Sequence, residues 1–131
     1  MEIPRKFVDA MIQHAREDDP NECCGALAAK DGRVIAHFRI ANATPSPYRY
    51  QFDAKEHMLT MHKIEDLGAV EVFYHSHTHS PARPSNTDIR LAENWPGYYL
   101  LVSLMDKEHP DVRLYTIDLG SVSEEPVTVV D

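Results

Sequence analysis

Residues 75–88 read His75-Ser76-His77-Thr78-His79-Ser80-Pro81-Ala82-Arg83-Pro84-Ser85-Asn86-Thr87-Asp88. Ahead of them, Val70–Tyr74 is a run of strand-forming residues. Behind, Pro84 and Ser85 open a helix whose Ile89, Ala92 and Trp95 fall on one stripe, with Pro96-Gly97 to end it. The stretch is thus the hinge of a strand–loop–helix unit, with Thr78–Pro84 as the loop.

Working outward toward the N-terminus, Pro4 and the spacing of Phe7, Val8, Met11, Ile12 and Ala15 predict an amphipathic helix, with Pro20 just beyond it. Residues 23–29 are small and apolar, as in a strand packed tightly on both faces. Asp31-Gly32 signals a hairpin, with Val34–Ile40 as the return strand. Asn42–Tyr50, with Pro45 and Pro47, reads as a loop. Asp53 and Glu56 match a capping-box variant and start a helix to about Leu67, with Met58, Met61, Ile64 and Leu67 along one side and Gly68 as its stop. Toward the C-terminus, Tyr98–Leu104 and Val112–Ile117 read as strands joined by a polar Asp106–Asp111 turn, and Pro126–Val130 as an edge strand. This order predicts an α/β (α+β) fold: one domain over residues 1–131, with a single mixed sheet flanked by helices.

Composition narrows the function classes. A chain of 131 residues with 43% apolar and 26% charged content fits one globular domain. Its net charge of −8 disfavours nonspecific nucleic-acid binding. No apolar run is long enough for a bilayer, and the N-terminus lacks a signal-like apolar region, so no membrane role is expected. Cys23 and Cys24 are adjacent and cannot form a normal intrachain disulfide, which suits a reducing cytoplasm.

Two imidazoles and a carboxylate make up the ligand set of a catalytic zinc site with an open fourth position. His75 and His77, two apart on a strand, face the same way with Cα atoms roughly 6.5–7 Å apart, and Asp88 arrives from the first turn of the next helix. Each piece also has an ordinary explanation. Two histidines are often surface or satisfied core residues, and Ser85-x-x-Asp88 matches a capping box. His79 lies on the same alternation as the pair. However, Ser80-Pro81 takes the chain out of the strand, so His79 reads as a loop histidine beside the site or facing substrate. Only one of the two cysteines could reach a shared site, and packing suits them better. Tyr48, Tyr50, Tyr98 and Tyr99 read as core and rim residues.

His75-x-His77, seven residues and then Ser85-x-x-Asp88 is similar to the signature of the JAMM (MPN+, Mov34) metallopeptidase family. Asn21-Glu22-Cys23-Cys24-Gly25-Ala26-Leu27 resembles that family's glutamate segment. Together the likeness spans the first helix through the strand after Trp95. It implies a fold like that of cytidine deaminases and one Zn²⁺ per chain on His75, His77 and Asp88. It also implies Glu22 as general base and Ser85 as donor to the oxyanion. Glu22 read alone is a solvated acid between helix and strand.

The chain looks most like the small prokaryotic members. Its length has no room for long insertions, and its Glu22–Gly25 and Tyr74–Thr78 segments and Glu124-Glu125-Pro126-Val127 tail are similar to bacterial peptidases that free cysteine from a carrier. That likeness implies hydrolysis of the amide bond after the C-terminal Gly-Gly of a ubiquitin-like sulfur-carrier partner, releasing cysteine or a short C-terminal extension, with a homodimer as one option for the enzyme. Removal of ubiquitin-like modifiers and a non-catalytic MPN scaffold are the alternatives. A zinc deaminase would need His-x-Glu and Pro-Cys-x-x-Cys, and neither occurs.

Overall fold

The computed structural model describes residues 1–131. In chain order the elements are β1 (Glu2–Pro4), α1 (Arg5–Asp18), β2 (Cys24–Lys30), β3 (Arg33–Ile40), α2 (Ala54–Asp66), β4 (Val70–His77), α3 (Asn86–Leu91), β5 (Gly97–Ser103), β6 (Asp111–Asp118), β7 (Ser121–Glu125) and β8 (Thr128–Val130). One eight-stranded mixed sheet runs β7-β6-β5-β4-β2-β3-β1-β8. No helix is long and apolar enough to cross a membrane.

β2 lies at the middle because its side chains are small enough to be covered on both sides. Cys24 through Ala29 are all buried. Its antiparallel pairing with β4 sets Cys24 opposite His75, Gly25 opposite Tyr74 and Ala26 opposite Phe73. Alternation then divides β4 between two layers. Val72 and Tyr74 join Val8, Met11 and Ala15 of α1 in the larger core. Phe73 faces the other way, into a core with Ala82, Ala92, Tyr99 and Leu101, and His75 and His77 share that face. β4 continues parallel to β5 through the crossover that contains α3, so the strand–loop–helix unit read from residues 75–88 is the crossover itself.

Under α1 the large core holds one polar network. The Tyr74 hydroxyl lies 2.7 Å from His14 Nδ1 and 2.8 Å from His37 Nε2. The tyrosine ring can cross β2 only because residue 25 is a glycine, since a Cβ there would strike the ring and the Phe38 carbonyl.

Four elements differ from expectation. In α2 the buried residues are His57, Thr60 and Ile64, whereas Met58 and Leu67 are exposed. The helix is rotated because His57 pairs with Glu71 at 2.8 Å and packs against Phe52 and Phe73. Hydropathy does not score a polar residue with a buried partner. α3 ends at Leu91, leaving Trp95 about half exposed. The residue before a proline is biased away from helix, and Trp95 precedes Pro96. β1 has only three residues and is defined by parallel pairing to β8. β7 is polar and almost wholly exposed, so it carries no apolar alternation. It forms through its turn, where Leu119 and Gly120 have φ of 49° and 79°, the pair of positive values of a type I′ hairpin.

Gly25→Ala is expected to destabilise the protein by about 3 kcal/mol or more, as a methyl group forced into a packed core. Urea unfolding checks this. A loss below 1 kcal/mol would show that Tyr74 can move aside.

Candidate metal centre

His75 and His77 lie at the C-terminal end of β4, 1% and 4% exposed. Their Nε2 atoms are 3.3 Å apart, and Asp88 Oδ2 lies 3.2 Å from the first and 2.9 Å from the second. Three donors therefore converge on one point. With bonds of about 2.0–2.1 Å, a tetrahedral ion separates its ligands by about 3.3 Å, so the spacing suits a zinc-sized cation. Two imidazole lone pairs and a carboxylate oxygen at this distance repel one another unless a proton or a cation sits between them.

The surroundings choose the tautomer of one imidazole. His77 Nδ1 donates to the Pro81 carbonyl at 2.8 Å, which leaves Nε2 as a bare acceptor. Asp88 is held as firmly. The Ser85 N–H donates to Asp88 Oδ2 at 2.9 Å, and the Asp88 N–H donates to Ser85 Oγ at 3.1 Å. The capping box is thus real, and it aims the carboxylate at the histidines. The cap and a ligand role for Asp88 are geometrically compatible. Burial alone would raise the Asp88 carboxyl, but His75, His77 and the Ser85 amide outweigh it and hold it far below the usual range. For His77, burial works toward the neutral form, and the Asp88 and Pro81 bonds overcome it to raise its pKa.

Glu22 is 5% exposed, so it is not a solvated acid. Continuing the β2–β4 register by two residues sets it opposite His77. Its N–H donates to the Ser46 carbonyl and its own carbonyl accepts from Asn42 Nδ2. Oε1 is buried with no hydrogen-bond partner. Burial chiefly raises the carboxyl to about 8, with His77 pulling it down and Asp88 pushing it up. A buried acceptor with an open valence, titrating near neutrality, is suited to exchanging a proton with a water or an amine.

The remaining sequence candidates separate cleanly. His79 is exposed, its Nδ1 2.8 Å from Thr78 Oγ1, and it lies outside the converging trio. Cys23 packs in the α1 core and Cys24 donates its thiol to the Ile40 carbonyl; burial pushes the Cys23 thiol up to about 12. Tyr99 is buried, and Tyr48 is 80% exposed. The reading of Tyr50 as an ordinary rim residue missed its contact, because its ring stacks on His75 with centroids 4.3 Å apart. Beside it a cavity of about 680 Å³ is lined by Arg49, Tyr50, Phe52, Phe73, Trp95 and Tyr99 among others. No spacing rule links residue 50 to residue 75, so the sequence carried no signal for that contact.

Comparison with known proteins agrees with this geometry. The family described as prokaryotic homologs of the JAB domain matches residues 4–118. The chain is 43% identical to a CysO-cysteine peptidase of Mycobacterium tuberculosis over 98% of this chain and 90% of that protein. It is 39% identical to a desampylase of Haloferax volcanii over 75% of this chain and 76% of the other. A JAB1/MPN domain protein from Archaeoglobus fulgidus, 17% identical, shares the fold with a TM-score of 0.69 over the whole of both chains. From the first helix to the end of β6, this chain belongs to the family of prokaryotic homologs of the JAB domain.

Proposed function

We propose that this chain is a zinc-dependent peptidase that cleaves the amide bond after the C-terminal Gly-Gly of a ubiquitin-like sulfur-carrier protein and releases cysteine. The observation that carries the reading is the convergence of His75, His77 and Asp88 beside the unpartnered Glu22 carboxylate, in a chain 43% identical over nearly its full length to a CysO-cysteine peptidase. His75 Nε2, His77 Nε2 and an Asp88 oxygen would hold the ion, and their spacing and the His77 tautomer fit it.

When bound, zinc supplies Lewis acidity toward a carbonyl oxygen and acidifies a water molecule toward neutral pH. Glu22 accepts the proton of the attacking water at its open oxygen. The water's oxygen forms the new bond to the glycine carbonyl carbon. Glu22 then delivers that proton to the departing amine as the carbon–nitrogen bond breaks, so the base returns to its starting state. Ser85 keeps its hydroxyl hydrogen while Oγ caps α3, and that O–H donates to the carbonyl oxygen as it becomes negative. Burial of the trio and of Glu22 keeps these interactions in a low-dielectric setting, where they are strong. Removal of a protein-linked ubiquitin-like modifier is the second reading, and the likeness to a desampylase favours it.

A carrier–cysteine adduct offered beside a ubiquitin-like dimer separates the two substrates. The adduct is expected to be cleaved at the glycine–cysteine bond, by mass spectrometry, at least ten times faster. Cleavage of the dimer alone would sink the carrier assignment. Glu22→Gln should lose turnover while retaining one zinc per chain, because it removes a proton carrier and no ligand.

The same substitution has a second, non-catalytic readout. The unfolded carboxyl ionises near 4.5 and the folded one near 8, so the native state loses stability as pH rises between these values. Gln cannot ionise. In chelator, Glu22→Gln should therefore match the parent at pH 4 and exceed it at pH 9 by an amount on the order of a few kcal/mol. Equal melting at both pH values would mean that Glu22 is not buried as a neutral acid. Ser85→Gly keeps the backbone N–H bond to Asp88 but removes the hydroxyl, and glycine at an N-cap costs only a few tenths of a kcal/mol, so kcat should fall by about 10²–10³ with melting temperature nearly unchanged. An unchanged kcat would leave Ser85 as a cap alone.

A further inference from the structure

A metal-bound histidine ordinarily donates its second ring N–H to a carboxylate or carbonyl, which fixes the plane of the ring. His77 follows this pattern through Pro81. His75 does not, because its Nδ1 is buried with no hydrogen-bond partner. Something else must hold its plane. The His77 ring meets it edge-on at 5.1 Å, and one ring lies against its face. The Tyr50 ring stacks on the imidazole at 4.3 Å between centroids and 26° between planes.

Tyr50 belongs to the segment joining β3 to α2, which is closed by backbone bonds from Ala43 to Gln51 and from Asp53 to Ala41 and by one side chain at its centre. Asn42 Nδ2 donates to the Glu22 carbonyl at 3.1 Å and to the Arg49 carbonyl at 3.3 Å. Asn42 Oδ1 accepts the N–H groups of Thr44 and Gln51, both at 3.0 Å. Both donors and both acceptor sites of the amide are therefore filled. Its partners include the residues on either side of Tyr50 and the backbone of Glu22. The Ser46 carbonyl, accepting from the Glu22 N–H at 2.8 Å, adds a second tie. One loop thus touches the proposed base through its backbone and a proposed ligand through an aromatic face.

We propose that Tyr50 is the positioning residue for His75. Its ring takes the place of the missing hydrogen bond in aiming Nε2 at the metal, and Asn42 clamps the loop that carries it to the backbone of Glu22. The assignment rests on the reading of His75 as a ligand. The ring face does the work, since the contact is a stack, so the hydroxyl is dispensable. His75 depends on Tyr50 more than His77 does, because His77 has its own carbonyl.

Zinc affinity, measured on the purified full chain by competition with a chromophoric chelator at fixed pH, tests this without reference to turnover. Tyr50→Ala is expected to weaken zinc binding by about 10–100-fold, the usual loss when a ligand's supporting partner is removed. Tyr50→Phe should bind within about threefold of the parent. Asn42→Ala leaves the ring in the chain but frees its loop, and it should also weaken binding, by a smaller factor. Ring ¹⁵N spectra of the zinc-free proteins should show His75, and not His77, losing its single orientation in Tyr50→Ala. Tight binding by Tyr50→Ala, in a variant that melts like the parent, would overturn the proposal. Equal losses in Tyr50→Phe and Tyr50→Ala would overturn it too, by moving the role to the hydroxyl. If the parent bound no zinc, or bound it as well after His77→Ala, the ligand reading would fall and this assignment with it.

Discussion

The antiparallel pairing of β2 with β4 is the constraint on which the rest of the molecule depends. Its register sets Cys24 against His75, and two residues further on it brings Glu22 level with His77. A one-residue slip would turn His75 and His77 into the α1 core and Tyr74 toward the site, because successive strand residues face opposite layers. The register is held by shape. Gly25 is the one position in β2 without a Cβ, and Tyr74 lies across it to reach His14 and His37. Next to it the Cys23 N–H donates to Ser76 Oγ at 2.8 Å, and the Ser76 N–H donates back to the Cys23 carbonyl. The polar network under α1, remote from any chemistry, therefore helps to determine which side of the sheet the histidines occupy.

A second constraint lies in the crossover between β4 and β5. The parallel pairing of those strands requires the chain to return across one face, and the return begins with α3. Asp88 is delivered to the histidines in its first turn. A helix of six residues is marginal by itself, and α3 is held by its capping box and by Ile89 and Ala92 packed on the second core. The hydrogen bonds that start the helix are the ones that orient the carboxylate. The structural roles of Ser85 and Asp88 coincide with their proposed chemical ones because a helix N-terminus is rigid, rich in N–H donors and favourable to negative charge.

The site combines two environments within a few residues. His77 and Asp88 of the converging trio are each held by a backbone group, whereas Glu22 is left with an unpartnered oxygen and a carboxyl raised toward neutrality. Groups pushed apart in this way can take different parts in one reaction, one set binding and the other exchanging a proton. The aromatic cavity continues from Tyr50 along the same face of β4, over Phe73.

The sequence alone determined the order of the three helices and of β2 to β6 with the edge strand β8, the mixed sheet with flanking helices, and the likeness to metallopeptidases of the JAMM type. These were legible because periodicity, turn residues and the His75-x-His77 … Ser85-x-x-Asp88 spacing are local, and the proposed ligands come from one strand–loop–helix unit. Glu22 was found through resemblance only, since nothing around it in the chain distinguishes a buried acid from a solvated one. Tertiary structure alone decided its burial, the face that α2 presents, the pairing of β1 with β8, and the contacts of Asn42 and Tyr50. Each of these depends on residues brought together from distant parts of the chain. Hydropathy records neither a histidine satisfied by a glutamate on another element nor an aromatic ring laid on an imidazole 25 residues away.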